Sequence, residues 1–168
     1  MATYRVVPRD SRVGVDGKST GHAMHARSSE LSGTLEVTLG DDGKPDLSQP
    51  YSATLSFPSA SLSAGAMADR ELRRRLDVER FPTIRIAVGE AREMDNGAYS
   101  AVAEVTAKGT TKRFEGDVSF THQGDAIVVE GSQVIDMRDF GIEPPKLLML
   151  KVDPMVTVNV VVTARPES

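Results

Sequence analysis

Hydrophobic and polar residues alternate one by one through most of the chain, as expected for strands with one buried face. Six stretches show this alternation most clearly: 31–39, 51–57, 83–88, 99–106, 114–120 and 156–163. Weaker strand patterns occupy residues 4–7, 11–15, 21–26 and 126–135. Turn residues separate these stretches, and Asn96-Gly97 between two of them is a strong hairpin signal. The pattern predicts about eight antiparallel strands with short connections.

Residues 64–80 break the alternation and read AGAMADRELRRRLDVER. Met67, Leu72 and Leu76 lie near helical spacing, and alanine, leucine, arginine and glutamate favour helix. The stretch therefore predicts one short helix. We expect it to end at Phe81-Pro82, because proline disfavours helical geometry in the preceding residue.

One helix inserted among so many strands predicts an all-β fold, an extended eight-stranded antiparallel barrel of the lipocalin-like type. Closing the sheet into a barrel removes the exposed edges that an open sheet would have. Residues 1–168 are expected to form this single domain, since no repeat or linker interrupts them. A barrel of this size either fills with side chains or holds one small ligand. Its predicted inner face is aliphatic, so any cavity should accept an apolar molecule.

Composition excludes several classes of function. The chain has 20 Lys and Arg against 24 Asp and Glu, and this mild acidity argues against a nucleic-acid partner. It has no cysteine, which removes disulfides and thiolate metal sites. No apolar run approaches the roughly 20 residues of a membrane-spanning helix. No export signal is visible either, so we expect a cytoplasmic protein, or a periplasmic or secreted one if the chain is a trimmed mature domain.

The residues give little support for catalysis or metal binding. The sequence contains neither a phosphate-binding glycine loop nor a G-x-S-x-G motif. His22 and His25 would point to opposite faces of a strand, which separates them as metal ligands. Asp136 and Asp139 flank Arg138, and we favour a structural ion pair there over acid–base chemistry. The prediction is no catalytic residue, no metal and no cofactor.

Five segments, taken in order, resemble the YceI-like family of lipocalin-like, polyisoprenoid-binding proteins. They are YRVVPRDSRV at 4–13, LDVERFPTI at 76–84, VTAKGTTK at 105–112, DMRDFGI at 136–142 and VDPMVTV at 152–158. The resemblance implies an elongated eight-stranded barrel with a small helix near one end. It also implies an apolar cavity for an isoprenoid, isoprenoid-quinone-like or fatty acyl chain. The implied role is that of a non-catalytic carrier, storage or stress-related protein.

Face parity and the resemblance together give a set of candidate ligand-binding residues. These are Val13, Val15, Leu35, Leu55, Phe57, Leu72, Leu76, Ile86, Val118, Phe120, Phe140, Leu148 and Val158. The hydrophobic small molecule is the expected partner, and a homodimer is a further candidate assembly. The main alternative is a filled barrel without ligand, acting as a protein-interaction or stress-related module through an apolar surface at 144–150. An enzyme that uses His25 or Arg138 near the barrel mouth is the least favoured hypothesis.

Overall fold

The computed structural model describes residues 2–144 and 151–167, which form ten strands and one α-helix. The strands are β1 (Ala2–Val6), β2 (Arg12–Ser19), β3 (His22–Ser28), β4 (Ser32–Val37), β5 (Ser52–Pro58), β6 (Thr83–Glu93), β7 (Tyr99–Ala107), β8 (Thr110–Gln123), β9 (Ala126–Asp136) and β10 (Met155–Pro166). The helix is α1 (Ala66–Leu76), between β5 and β6. Short 3₁₀ turns occupy Pro8–Asp10, Ser59–Ser61 and Met137–Phe140.

Eight of these strands form a closed antiparallel ring, as predicted. The ring runs β1, β4, β5, β6, β7, β8, β9, β10, and β10 pairs with β1 again to close it. The other two strands, β2 and β3, form a hairpin that pairs with β10 beside β1. A two-residue bridge between Arg27 and Ser63 then joins the free edge of β3 to the segment that follows β5.

The strands form where alternation predicted them, because each buries one row of side chains inside the ring. On β8, Phe114 and Val118 point inward and are half-buried, whereas Asp117 between them is exposed. The tight β7–β8 turn depends on Lys108 and Gly109, whose φ angles of 49° and 76° are both left-handed. Such a pair of positive φ angles matches the twist of a two-residue hairpin.

The helix is shorter than predicted and ends five positions before Phe81. It ends at Leu76 because Asp77 adopts a left-handed φ of 51°, and residues 77–80 continue as turns. Pro82 is therefore not the residue that stops it. At the other end, the Asp69 carboxylate accepts hydrogen bonds from Ser63 Oγ at 2.5 Å and from the Ala64 amide at 2.6 Å. These bonds lower the pKa of Asp69 and fix the chain where it enters the helix.

The interior is tightly filled at the barrel end farther from α1. Ile127 and Ala164 there are completely buried, and Val162 is 2 % exposed. Tyr99 and Phe120 close this region with an edge-to-face contact, their ring centroids 6.4 Å apart. We call this region the packed end. Within the described ranges, no helix has the length and hydropathy needed to cross a bilayer.

Candidate functional site

The opposite half of the barrel contains a cavity of about 190 Å³ directly beneath α1. Its wall combines the helix with inward-facing residues of most strands, and nearly all of these side chains are apolar. The helix contributes Ala68, Leu72 and Leu76, and small residues such as Gly17 and Ala26 leave room opposite them. We call this space the helix-end cavity.

A second apolar space of about 140 Å³, the central cavity, continues the first toward the packed end. Ile86, Val105, Ile135 and Val158 line both spaces, so the two meet at this ring of residues. Along β10 the combined wall runs from Val156 to Val162, roughly 20 Å at the rise of a strand. Their volumes together lie at the low end of the roughly 300–1,000 Å³ typical of ligand pockets. This long, narrow shape suits a single slender chain better than a bulky ring system.

Arg75 anchors the helix over the helix-end cavity. Its Nε donates to Glu71 Oε1 at 2.8 Å, and its Nη1 donates to Glu143 Oε2 at 2.7 Å. The Arg75 side chain is only 14 % exposed, because its aliphatic part lines the cavity while the guanidinium reaches the surface. The helix is thereby tied both to itself and to the segment that follows the Met137–Phe140 turn.

Most of the sequence-predicted binding residues line one of the two cavities. Those in the helix-end cavity are Val13, Val15, Phe57, Leu72, Leu76, Ile86, Phe140 and Val158. Leu55 and Val118 line the central cavity. Leu35 and Phe120 line neither: Leu35 is buried opposite Tyr4 on β1, and Phe120 packs on Tyr99. Leu148 lies outside the described residues, as does most of the proposed 144–150 surface.

Sequence reasoning missed several wall residues of the same apolar kind. The missed residues include Met24, Leu62, Ile84, Val105, Ile135, Met137, Ile142 and Val156. The alternation pattern could have identified some of them, because Val105 and Val156 lie on the predicted inward-facing rows. Leu62 and Ile142 lie outside the strands, so alternation gave no signal for them.

The titratable groups near the barrel mouth form surface ion pairs. His25 Nδ1 lies 2.6 Å from Asp16 Oδ1, and both side chains are about half exposed. Arg138 donates to Asp136 at 2.8 Å, which confirms the predicted ion pair and lowers the pKa of Asp136. In the part of the chain that the structure describes, no three His, Asp or Glu side chains cluster as metal ligands. The site is therefore an apolar cavity, and the polar groups near its mouth form ion pairs on the protein surface.

Comparisons with known proteins agree with this architecture. Residues 4–164 match the family model of the YceI-like domain. The structure resembles BcnA of Burkholderia cenocepacia, with a TM-score of 0.78 at 15% identity, over 94% of this chain and 98% of that one. It also resembles a polyisoprenoid binding domain from Saccharophagus degradans implicated in plant cell wall breakdown (TM-score 0.73, 13% identity, 99% and 100% covered). A Campylobacter jejuni YCEI protein gives a TM-score of 0.67 at 13% identity, over 85% of each chain. No curated protein matches this sequence.

Proposed function

This chain belongs to the family of the YceI-like domain, and on that premise we propose that it binds and carries one long apolar molecule without transforming it. The ligand class is an isoprenoid, an isoprenoid-quinone-like molecule or a fatty acyl chain. The observation that carries the proposal is the pair of adjoining apolar cavities, which together extend about 20 Å along β10. The Saccharophagus degradans relative, a polyisoprenoid binding domain, supports the isoprenoid class.

The cavities also favour this proposal over the filled-barrel alternative. A filled barrel would pack its middle as densely as the packed end, where Ile127 and Ala164 have no exposed surface. Val105 and Val158 instead remain only half-buried, although both point into the barrel. Open apolar surface inside a closed sheet loses dispersion contacts, and an apolar ligand would restore them.

A chain-length series tests the proposal. Geraniol, farnesol and geranylgeraniol share one head group and differ only in the length of the isoprenoid chain. Each buried methylene is worth roughly 0.8 kcal/mol, so affinity should rise with length until the cavities are filled and then level off. Titration followed by native mass spectrometry should show one molecule bound per chain. The same spectra report the protein's mass and so test the homodimer, which stays a prediction.

Val158→Phe provides the decisive variant, because it places a larger side chain in the ring where the cavities meet. It should weaken farnesol binding at least about tenfold by occupying the ligand's path. Thr157→Phe is the matched control, since Thr157 is the adjacent residue of β10 and points outward. Equal binding by both variants, with both shown to be folded by circular dichroism, would contradict the proposal. The compartment stays a prediction that cell fractionation can check.

A further inference from the structure

The barrel wall lacks backbone pairing on one side, between the first half of β8 and the second half of β9. The two strands pair from Gln123↔Ala126 only as far as Val118↔Gly131. Beyond that rung, residues 110–117 of β8 pair with β7 alone, and residues 132–136 of β9 pair with β10 alone. We call this unpaired stretch of the wall the lateral opening.

Two features bound the lateral opening. At its wide end, Phe114 of β8 stacks on Phe140 of the Met137–Phe140 turn, with ring centroids 6.2 Å apart. At its narrow end, Gly116 and Gly131 face the interior on either side and carry no side chain. Aromatic rings therefore cover the wide end of the lateral opening, and no side chain covers the two glycine positions at its narrow end.

The lateral opening lies between the central cavity and the outside of the barrel. A groove of about 570 Å³ lies on the outer face of β2, β10, β9 and β8. The groove and the central cavity share five lining residues: Asp117, Val118, Gly131, Ser132 and Val160. Only this stretch of wall therefore separates the central cavity from the outer groove.

The amide of Gln133 lies at this unpaired stretch of the wall. Gln133 follows the inward parity of β9 and is half-buried at the central cavity, among otherwise apolar inward side chains. Its Oε1 lies over Gly116, where an added Cβ would approach to 2.8 Å, so the glycine makes room for the amide. Its Nε2 donates to the Val134 carbonyl at 3.1 Å. The amide therefore presents an acceptor oxygen and a second N–H toward the cavity.

The charges around the opening select against an anionic group. Asp117 on β8 and Glu130 on β9 both line the outer groove on the strands that form the opening. The groove's arginines, Arg12 and Arg27, belong to β2 and β3, so β10 separates them from β9 by about 10 Å or more. Lys112 and Arg113 also lie on this edge of β8, three to four residues from Gly116 and so roughly 10 Å or more along the strand. A phosphate or carboxylate beside Gly116 would therefore lie closer to Asp117 than to these cations or to the groove's arginines.

We propose that the lateral opening binds the polar head of the carried molecule, and that this head is an uncharged hydrogen-bonding group such as an alcohol or a ketone. The apolar chain would occupy the central and helix-end cavities, with the head hydrogen-bonded to Gln133. This inference rests on the proposed carrier function and adds the position and the chemistry of the head group.

Three probes with the same chain test it: farnesol, farnesyl diphosphate and the hydrocarbon farnesane. The wild type should bind farnesol at least about tenfold more tightly than the diphosphate, because like charges at a contact are costly. Gln133→Leu keeps the side chain's size and removes its hydrogen bonds. It should weaken farnesol about five- to tenfold and leave farnesane unchanged or slightly tighter. Gln123→Leu, the same change at an exposed position of β8 far from the opening, should alter neither.

The outcomes separate this proposal from the carrier function. If the wild type binds none of the three probes, the carrier function fails and the head site fails with it. If farnesol and farnesane bind but Gln133→Leu leaves farnesol unchanged, the head site alone is overturned. Tighter binding of the diphosphate than of the alcohol would overturn the uncharged class.

A measurement on the wild type makes the test independent of the variant's folding. A farnesyl ether of benzophenone carries a photoreactive group at the head, and peptide mapping after irradiation locates that group. Crosslinks to residues 114–118 and 131–134 are the expected result. Crosslinks confined to α1 would place the head beneath the helix and contradict the proposal.

Discussion

The packed end of this barrel and the half that contains the two cavities, which we call the hollow half, are built from the same strands. Side chains fill the interior of the packed end, whereas the hollow half contains open space. On β10, Val162 is 2 % exposed at the packed end, whereas Val158 is half-buried two inward positions away. The difference lies in the partners across the barrel. Tyr99 and Phe120 fill the packed end, while Gly116 and Gly131 face the hollow half. The cavity therefore comes from small residues opposite ordinary aliphatic ones, and polar side chains play little part in making it.

The largest expected effect comes from trimming the same residue type in the two regions. Val162→Ala should lower the free energy of unfolding by about 2–3 kcal/mol, because this side chain is almost fully buried where the central cavity meets the packed end. Val158→Ala should cost under about 1 kcal/mol, because that side chain already borders open space. Urea unfolding of both variants measures the difference. Equal losses would mean that the two regions are equally packed.

Enlarging alanine should have opposite signs in the two regions. Ala164→Val, at a completely buried site of the packed end, should destabilise the protein by about 1–3 kcal/mol through overpacking. Ala103→Val, on the wall of the central cavity, should stabilise it by about 0.5–1 kcal/mol and weaken farnesol binding. Thermal unfolding and titration check both effects. A destabilising Ala103→Val would show that the central cavity has no room for two more methyl groups.

A smaller effect concerns the cover of the hollow half. Arg75→Met keeps the aliphatic contact with the cavity and removes the hydrogen bonds to Glu71 and Glu143. The stability cost should stay below about 1 kcal/mol, but farnesol should dissociate several-fold faster as the helix loosens. Arg74→Met is the control, because Arg74 is 76% exposed and contacts Glu71 only at 3.8 Å. Equal dissociation rates of farnesol from the two variants would show that Arg75 does not anchor the helix.

The smallest expected effect is pH dependence at the start of α1. The hydrogen bond from Ser63 hydroxyl, followed by that from the Ala64 amide, lowers the pKa of Asp69 below its ordinary value of 3.8. Its stabilising contribution is complete above the ordinary value and is lost as the pH falls through the lowered pKa. Amide hydrogen exchange in α1 should therefore accelerate below about pH 4, before exchange at the packed end does. Asp69→Asn should make α1 exchange fast already at neutral pH; exchange as slow as in the wild type would contradict this role.

The contrast between the packed end and the hollow half limits what the sequence could predict. Alternation gave the closed eight-stranded sheet, because inward and outward positions differ in polarity along each strand. It could not separate Leu35 and Phe120, which lie in filled regions, from Val118 and Val158, which border space. All four share the inward parity, and only the residues across the barrel decide which of them faces a void.

The lateral opening was invisible in the sequence for a related reason. The polarity pattern of residues 114–120 and 126–135 does not mark the position at which the β8–β9 pairing stops. Gln133 is the polar side chain on the inward row of β9 between Ile127 and Ile135, and that was the one available signal. The helix end was missed because Asp77 adopts a left-handed conformation that is more typical of glycine.

Native mass spectrometry of the gently purified protein, followed by extraction of any released molecule, tests the central claim most directly. We expect one isoprenoid or acyl chain per polypeptide, lost in Val158→Phe and retained in Thr157→Phe. A ligand-free mass, together with no uptake of added farnesol or fatty alcohol, would contradict it and return the protein to the class of filled barrels.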